Sequence, residues 1–347
     1  MRVFVTNFSA AVVCVTTVAC GSAQAPAEPP AELLTMFNSR TVTHIGMIVH
    51  DANATAKEIA DVFGVPMPAE LEIQSPVAFA EGYEGDAAAH TLVANMHFDN
   101  ITVEVSEPMG GVSPWSEWLA DYGEGIHHLS FSVHGVDDHV RLLESKGGVR
   151  TLGVAGGDYA LVDMMPQLGL VIELTEASGE PEQLYPHEPP ASPAEPGLTA
   201  IGRIGVMAWE DTDPARALYE ELWDVAEHVA PTTNPGPGVI QYPRDFLELG
   251  GDPDAANRET YIPMANIWVN LIQPVGGKSP WRDLFDRRPG GHYINLFVED
   301  VQATVAYLEE KGGKRILGNE ETGYAYVDMV EVGGLTVLLL TYPWPPV

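Results

Sequence analysis

Apolar and polar residues alternate in several short segments of the chain, and in four places the alternation leads into apolar residues at helical spacing. The first such segment covers 43–64 and the second covers 127–148. A period of two predicts a strand, and a period near 3.6 predicts an amphipathic helix. Each segment therefore predicts a strand followed by a helix that packs on one face of a sheet.

Further strands are predicted after these helices. A strand pair at 91–98 and 101–106 is joined by a two-residue turn, and two more alternating segments lie near 159–163 and 170–175. The recurring unit is therefore a strand, a helix and three strands. This order predicts an α+β fold built from repeated βαβββ modules.

The chain repeats itself at a larger scale. Residues 133–153 recur with the same register at 298–318. A stretch rich in Pro and Glu at 177–198 has no periodicity and is interpreted as a linker. We therefore predict two domains of two modules each, at 41–176 and 199–347.

Four polar side chains interrupt the strands of the first half on the face opposite the apolar one. These are His44, Glu104, His128 and Glu173, and the alternation of strand side chains predicts that they meet if the sheet curls into a cup. Two imidazoles and two carboxylates suit one divalent metal ion such as Zn, Ni, Co, Mn or Fe. His127 is predicted to point away from this set, as a rim or packing residue.

The second half has lost this set. In the repeat register its equivalent positions hold Arg203, Asn270, Tyr293 and Leu338, which together offer no plausible metal site. The second domain is therefore predicted to be a degenerate scaffold without metal.

Charge excludes several partner classes. The chain of 347 residues has 49 acidic and 17 basic residues and a formal net charge of -32. Such a balance repels nucleic acid and anionic membrane surfaces, and it disfavours polyanionic substrates. The partner that remains is a small-molecule substrate.

The N-terminal segment is typical of an export signal. Residues 1–24 predict a signal peptide or a lipoprotein leader, and 25–40 predict a flexible tether. Both cysteines, Cys14 and Cys20, lie in this leader, so no disulfide is expected in the domains. The expected location is periplasmic or, through a lipid on Cys20, membrane-anchored, with simple secretion as the alternative.

The motifs THIGMIV, ITVEVSEPMGGVSPW, GIHHLSFSV and GLVIELTE resemble those of the vicinal oxygen chelate (glyoxalase/bleomycin resistance/dioxygenase) superfamily, in tandem. Within it the chain is most similar to methylmalonyl-CoA epimerase. The resemblance implies two glyoxalase-like cups of mixed and antiparallel sheet with helices outside. It also implies metal ligands at His44, Glu104, His128 and Glu173, a set similar to that of bacterial glyoxalase I. An internal pseudo-dimer would then replace family homodimerisation and leave the chain a monomer.

The resemblance leaves the general base open. The glutamate that serves the epimerase aligns near Ala87, and neighbours that could replace it are Glu84, Asp86 and His90. Glyoxalase I relatives use a metal-bound glutamate instead, which implies Glu173 or Glu104. The catalytic candidates are therefore Glu173, Glu104 and Glu84.

Three functions are compatible with these residues. The first is a metal-dependent isomerase or lyase that moves a proton on a small oxygen-chelating substrate. Export argues against a CoA thioester. The second is an Fe(II) extradiol-type dioxygenase that uses His44, His128 and Glu173. The third is a non-enzymatic protein that binds a small toxin or antibiotic.

Overall fold

The computed structural model describes residues 34–75, 78–179, 197–208, 212–225, 238–241, 249–287, 290–318 and 323–341. The predicted leader with Cys14 and Cys20, most of the predicted tether and most of the predicted linker lie outside these ranges. Among the described residues, no helix is both long enough and apolar enough to cross a bilayer.

The first half contains two modules joined by a crossover helix. The first module consists of β1 (Val42–Ile48), α1 (Ala52–Phe63), β2 (Glu72–Gln74), β3 (His90–His97) and β4 (Thr102–Met109). The crossover helix is α2 (Pro114–Tyr122). The second module consists of β5 (Gly125–Val133), α3 (Val136–Ser145), β6 (Val149–Leu152), β7 (Tyr159–Met164), the short α4 (Met165–Leu168) and β8 (Leu170–Glu176).

The second half repeats this order. Its first module consists of β9 (Ile201–Met207), α5 (Thr212–Trp223), β10 (Gly238–Gln241), β11 (Ala256–Pro263) and β12 (Trp268–Gly276). After α6 (Pro280–Arg287) come β13 (Gly290–Val298), α7 (Val301–Glu310), β14 (Lys314–Leu317), β15 (Tyr324–Met329) and β16 (Leu335–Thr341). The predicted α+β fold of tandem βαβββ modules is confirmed.

Local signals explain where the helices begin and end. Asp51 caps α1 by accepting a hydrogen bond from the backbone N–H of Ala54, and Gly64 ends the helix with φ 74°. Ser113 and Ser116 form a reciprocal capping box at the start of α2, which begins at Pro114.

Each module pairs its strands in the order first, fourth, third, second. In the first half β1 is parallel to β4, β5 is parallel to β8, and β1 and β5 pair antiparallel at the centre. The strand order β4-β1-β5-β8 therefore places the first and last strands of both modules, counted along the chain, side by side. The second half pairs β12, β9, β13 and β16 in the same way.

The two faces of the sheet have different environments. Ile45 and Met47 of β1 are fully buried in one large apolar cluster with Ala56 and Ile59 of α1. The opposite face, which includes His44 and the other three predicted ligands, is called the first cup here. Apolar burial against the helices therefore orients the polar positions into the first cup.

In each half, one turn asparagine forms hydrogen bonds to the backbone of the other half. Asn100, in the turn between β3 and β4, accepts from the backbone N–H of Ile201 at 3.0 Å and donates to the Ile201 carbonyl at 2.8 Å. Asn266, in the equivalent turn of the second half, makes the same pair of bonds to Val42 at 3.0 and 2.9 Å. Each half therefore anchors the first strand of the other.

Candidate metal centre

The four predicted ligands come from the four central strands of the first half. His44 lies on β1, Glu104 on β4, His128 on β5 and Glu173 on β8. Gly46 pairs with both Glu104 and His128, while the partner of His44 on β5 pairs in turn with Glu173. The strand register therefore places the four side chains around one point.

Three of these side chains form a compact donor group. His44 Nε2 lies 3.1 Å from His128 Nε2 and 3.2 Å from Glu173 Oε1, and His128 Nε2 lies 3.6 Å from Glu173 Oε2. One ion bound at about 2.0–2.2 Å from each donor would hold neighbouring donors about 3.0–3.4 Å apart. The donor types and their separations therefore fit one divalent metal ion.

Glu104 stands next to this group. Its Oε2 lies 3.8 Å from His44 Nε2, and its Oε1 accepts a hydrogen bond from Ser106 at 2.9 Å. Glu84, the third catalytic candidate, lies in the loop between β2 and β3 and is not part of the His44, His128 and Glu173 group.

Both oxygens of Glu173 are held by hydroxyl groups. Ser130 donates to Oε1 at 2.9 Å and Tyr159 donates to Oε2 at 3.0 Å. Burial alone would raise the pKa of Glu173, but His44, His128 and Ser130 stabilise the carboxylate and lower its pKa. Glu173 is therefore an oriented, ionised carboxylate and a weak base.

His128 is enclosed by its neighbours. It is fully buried, and its Nδ1 lies 3.0 Å from Nδ1 of His127. Burial lowers the pKa of His128 to about 4 and that of His127 well below its usual value, so both rings are neutral at pH 7. One Nδ1–H then donates to the other ring. When His128 is the donor, its Nε2 carries no proton and presents a lone pair to the donor group.

His127 has the second of its two predicted roles, that of a packing residue, but its ring does not point away from His128. The pairing of β1 with β5 shifts between Gly46↔His128 and Met47↔Ile126, which leaves His127 as an extra residue in a β-bulge. The bulge breaks the alternation of side chains. His127 is therefore 2% exposed and contacts His128, so it is a packing residue and not a rim residue.

His44 and Glu104 have shifted pKa values for opposite reasons. Burial would lower the pKa of His44, but Glu173 and Glu104 outweigh it and raise the pKa to about 9. The pKa of Glu104 is raised, mainly by burial, against the attraction of His44. A carboxyl group with a raised pKa is a better proton acceptor at neutral pH than one with a lowered pKa.

An aromatic and aliphatic cluster closes one side of the first cup. Its buried members are Ile48, Trp115, Trp118, Leu152, Leu161, Met165 and Val171. The cluster uses α2 and the strands of the second module, where the Glu173 and His128 side chains are 8% and 1% exposed. The His44 and Glu104 side chains are 17% and 13% exposed, so the more open side of the first cup lies over β1 and β4.

The equivalent centre of the second half is filled by its own side chains. Tyr293 is fully buried where His128 would lie, and its hydroxyl group accepts from Asn270 at 2.6 Å. Leu338 packs beside it, and Arg203 lies over the ring of Tyr261 at 4.9 Å. These side chains leave no metal-ligand set at the repeat-equivalent positions.

Sequence comparison identifies the first half. The model of the Glyoxalase/Bleomycin resistance protein/Dioxygenase superfamily matches residues 43–159. The first half of the chain therefore contains a domain of this superfamily, as the motifs predicted. Most of the first cup falls within the matched range; Glu173 follows it.

Individual relatives are more distant. An ethylmalonyl-CoA/methylmalonyl-CoA epimerase of Cereibacter sphaeroides is 33% identical over 72 residues, which cover 20% of this chain and 53% of that protein. The match thus spans about half the length of that curated relative.

Two solved structures extend the comparison. A mutant of 4-hydroxymandelate synthase from Streptomyces coelicolor has a TM-score of 0.56 at 14% identity and covers 89% of this chain and 93% of its own. That likeness shows a common fold alone. A methylmalonyl-CoA epimerase from Mycobacterium tuberculosis has a TM-score of 0.31 at 20% identity and covers 42% of this chain and 94% of its own.

The residues around the ligands were missed by sequence reasoning. Ser130 and Tyr159 orient Glu173, but Tyr159 has a tyrosine at its repeat-equivalent position, Tyr324. The contrast between the halves highlights only residues that differ, so it could not single out Tyr159. Ser130 did carry a signal, because it shares the strand face of His128 and the repeat has Asn295 there.

Proposed function

We propose that the first cup is the active site of a metal-dependent enzyme that moves a proton on a small substrate chelating the ion through adjacent oxygens. This is isomerase or lyase chemistry of the epimerase and glyoxalase type. The observation that carries the proposal is the convergence of His44, His128 and Glu173 beside a second carboxylate, Glu104. When bound, a divalent ion would supply Lewis-acid stabilisation of a developing oxyanion.

The roles of the two carboxylates follow from their surroundings. Glu173 would hold the ion, because both of its oxygens are fixed by hydroxyl donors. Glu104 would take the proton from the substrate, because it lies on the more open side and its Oε2 faces the donor group at 3.8 Å from His44. Ser106 orients the other oxygen of Glu104. Enclosure by the Trp115 and Trp118 side would limit water access.

Metal analysis of the purified full chain tests the centre itself. We expect one divalent ion per chain, loss of that ion in His128→Ala, and full occupancy in Arg203→Ala, which changes the repeat-equivalent of His44. Full metal occupancy in His128→Ala would show that His128 is not a metal ligand. A chain that takes up no ion at all would favour the binding-protein alternative.

Proton transfer is tested with a neutral α-hydroxyketone, dihydroxyacetone, which offers adjacent oxygens and an acidic C–H. We expect metal-dependent exchange of its carbon-bound hydrogen with deuterated water, followed by NMR. Glu104→Gln should slow the exchange by about 10²–10⁴-fold with the ion retained. Glu107→Gln is the matched control, because Glu107 accepts a hydrogen bond at the start of α1. Equal exchange by Glu104→Gln and the unchanged chain would exclude Glu104 as the base.

One observation favours a second candidate. His44, His128 and Glu173 alone form a two-histidine, one-carboxylate group of the type used by non-haem Fe(II) oxygenases. Glu104 counts against it, because its carboxylate borders the side on which dioxygen would bind. Stoichiometric oxygen uptake by the Fe(II)-loaded chain with catechol would establish this second function.

We also propose export of the protein, with a lipid on Cys20 as the membrane attachment and a single chain as the functional unit. The apolar N-terminal segment and the small residues around Cys20 support this. Metabolic labelling with palmitate should mark the unchanged chain and fail to mark Cys20→Ser. Unlabelled mature protein would exclude the lipid, and size-exclusion chromatography with light scattering tests the single-chain state.

A further inference from the structure

The charge around the first cup is distributed unevenly between the two faces of the sheet. Residues 41–176 contain 21 Asp and Glu residues against only four Lys and Arg residues. The structure shows which helix, strand or turn carries each of the four basic residues. Their positions therefore show which face of the sheet is without Lys and Arg side chains.

The basic side chains of the first half lie on the helix side or at the surface. Lys57 lies on α1 and is exposed. Arg141 of α3 pairs with Asp138 in the same helix, and Lys146 pairs with Glu221 of the second half at 2.6 Å.

The fourth cation, Arg150, also belongs to the helix side. It binds Asp137 in the first turn of α3 at 3.2 Å. Its strand partner Val162 belongs to the large core cluster beneath the helices. Among the described residues of the first half, the first cup therefore contains no Lys or Arg.

A third carboxylate faces the first cup from the edge strand β2. Glu72 pairs with Val93, and Val93 pairs with Ser106, which shares the strand face of Glu104. Directly paired residues of antiparallel strands point to the same side of a sheet. Glu72 is exposed at the open end of the first cup and raises the pKa of Glu104 through charge repulsion.

The other polar side chains on this open side are uncharged or already engaged. Asn95 pairs with Glu104 and therefore shares its face. His97, at the outer end of β3, lies 3.0 Å from the hydroxyl of Thr102. A substrate bound through its oxygens would thus extend over a wall of amide, hydroxyl, imidazole and carboxylate groups.

We propose that the first cup accepts chelating substrates whose remaining part is neutral or cationic, and that Glu72 faces the cationic group. An ammonium group near Glu72 gains a carboxylate partner, whereas a phosphate or carboxylate there meets Glu72 and Glu104 with no Lys or Arg side chain of the described first half beside them. The inference rests on the proposed metal centre and names the class of substrate that it takes. It separates this site from one built for an anionic CoA ester.

Three catechols of nearly equal shape test the charge preference. Dopamine, 3,4-dihydroxyphenylethanol and 3,4-dihydroxyphenylacetate chelate a metal through the same two oxygens and carry a cationic, neutral and anionic end. Binding to the Co(II)-loaded full chain can be followed by the visible spectrum of the ion. We expect dopamine to bind about tenfold or more tightly than 3,4-dihydroxyphenylacetate, with a gap that shrinks at high salt.

Glu72→Gln should reduce this gap several-fold without loss of the ion. Glu58→Gln is the matched control, because it removes the same charge from α1 on the helix side of the sheet. Equal binding of the three catechols, or tighter binding of the anion, would overturn the inference and leave the metal centre standing. A Co(II) spectrum that responds to none of them would count against the chelating site and the inference together.

Discussion

Tyr159 and Ser130 hold Glu173 between them, so this carboxylate is fixed before any ion arrives. Tyr159 donates to Oε2 at 3.0 Å and Ser130 donates to Oε1 at 2.9 Å. A buried hydroxyl group that orients a ligand carboxylate commonly changes metal affinity by about 10–100-fold. The geometry of the centre therefore depends on residues that would not touch the ion.

Tyr159→Phe tests this dependence. We expect metal affinity to fall about tenfold or more and the free energy of unfolding to fall by about 1.5–3 kcal/mol, because a buried carboxylate loses a donor. Competition with a chelating dye measures the first quantity and urea denaturation measures the second.

The repeat supplies the control for this variant. Tyr324 occupies the equivalent position of the second half, where Leu338 replaces the carboxylate. Tyr324→Phe should leave metal affinity unchanged. An equal loss of affinity in both variants would mean that the effect is one of general stability.

His44 makes metal binding depend on pH. Its pKa in the metal-free protein is raised to about 9, so its imidazole is protonated at pH 7 and must lose a proton to bind an ion. Between about pH 6 and 9 the apparent affinity should therefore rise about tenfold per pH unit and then level off. His128, whose pKa is lowered to about 4, is already neutral in this range.

Calorimetry in buffers of different ionisation enthalpy measures the protons released. We expect about one proton from His44 per ion at pH 7. Metal binding that is independent of pH between 6 and 9 would contradict a role for His44 as a metal ligand that must first lose a proton.

The same shift affects stability without metal. The folded pKa of His44 lies above its unfolded value, so its contact with Glu173 stabilises the metal-free protein fully below about pH 6.5. That contribution is lost as the pH rises through about 9. His44→Gln should remove this loss between pH 6.5 and 9, as measured by urea denaturation at each pH, and an unchanged pH profile would exclude it.

At the scale of elements, the His128 ring of β5 lies so close to the backbone of β1 that position 46 requires a glycine. A Cβ atom on Gly46 would lie 1.9 Å from Cε1 of His128. The same arrangement occurs between β9 and β13, where a Cβ on Gly205 would lie 2.0 Å from Cε1 of Tyr293. Both halves therefore have a glycine that leaves room for an aromatic ring. The ring is an imidazole in the first half and a phenol in the second.

Gly46→Ala should displace the His128 ring and abolish metal binding. Overpacking of this kind also costs about 1–3 kcal/mol of stability. Metal content after dialysis and thermal unfolding measure the two effects.

Gly205→Ala is the matched change in the second half. It should cost similar stability through the displaced Tyr293 ring and leave the metal content at one ion per chain. Loss of the ion in both variants would show that the first cup cannot form without an intact second half.

The βαβββ order could be predicted from the sequence because burial imposes a period on each element. Ile45 and Met47 alternate with His44 and Gly46, and their packing against α1 selects the face of the strand. The contact of His127 with His128 could not be predicted in this way. A bulge inserts one residue into β5, and alternation fails at that point.

At the scale of the whole molecule, the halves are joined through their turns. Asn100 and Asn266 bind the backbone of Ile201 and Val42 in a reciprocal pair. Each asparagine also donates to the backbone carbonyl of the other, at 3.1 and 3.2 Å. Backbone groups that lose such partners inside an interface destabilise the fold.

Asn100→Ala and Asn266→Ala should each lower the free energy of unfolding by about 1–3 kcal/mol. Because the two residues contact each other, the double variant should deviate from the sum of the single ones. Asn53→Ala, on the exposed surface of α1, is the control and should change stability by about 0.5 kcal/mol or less. Purely additive effects would indicate that the two anchors act independently.

The sequence by itself determined the repeat, the α+β modules and the four polar positions of the first half, since alternation and duplication are written along the chain. Whether those positions converge depends on strand order, and only the tertiary structure decided that β4, β1, β5 and β8 lie side by side. It also assigned different surroundings to the two carboxylates, with hydroxyl donors at Glu173 and an open side at Glu104. Those differences arise from contacts between residues far apart in sequence, and no local pattern records them.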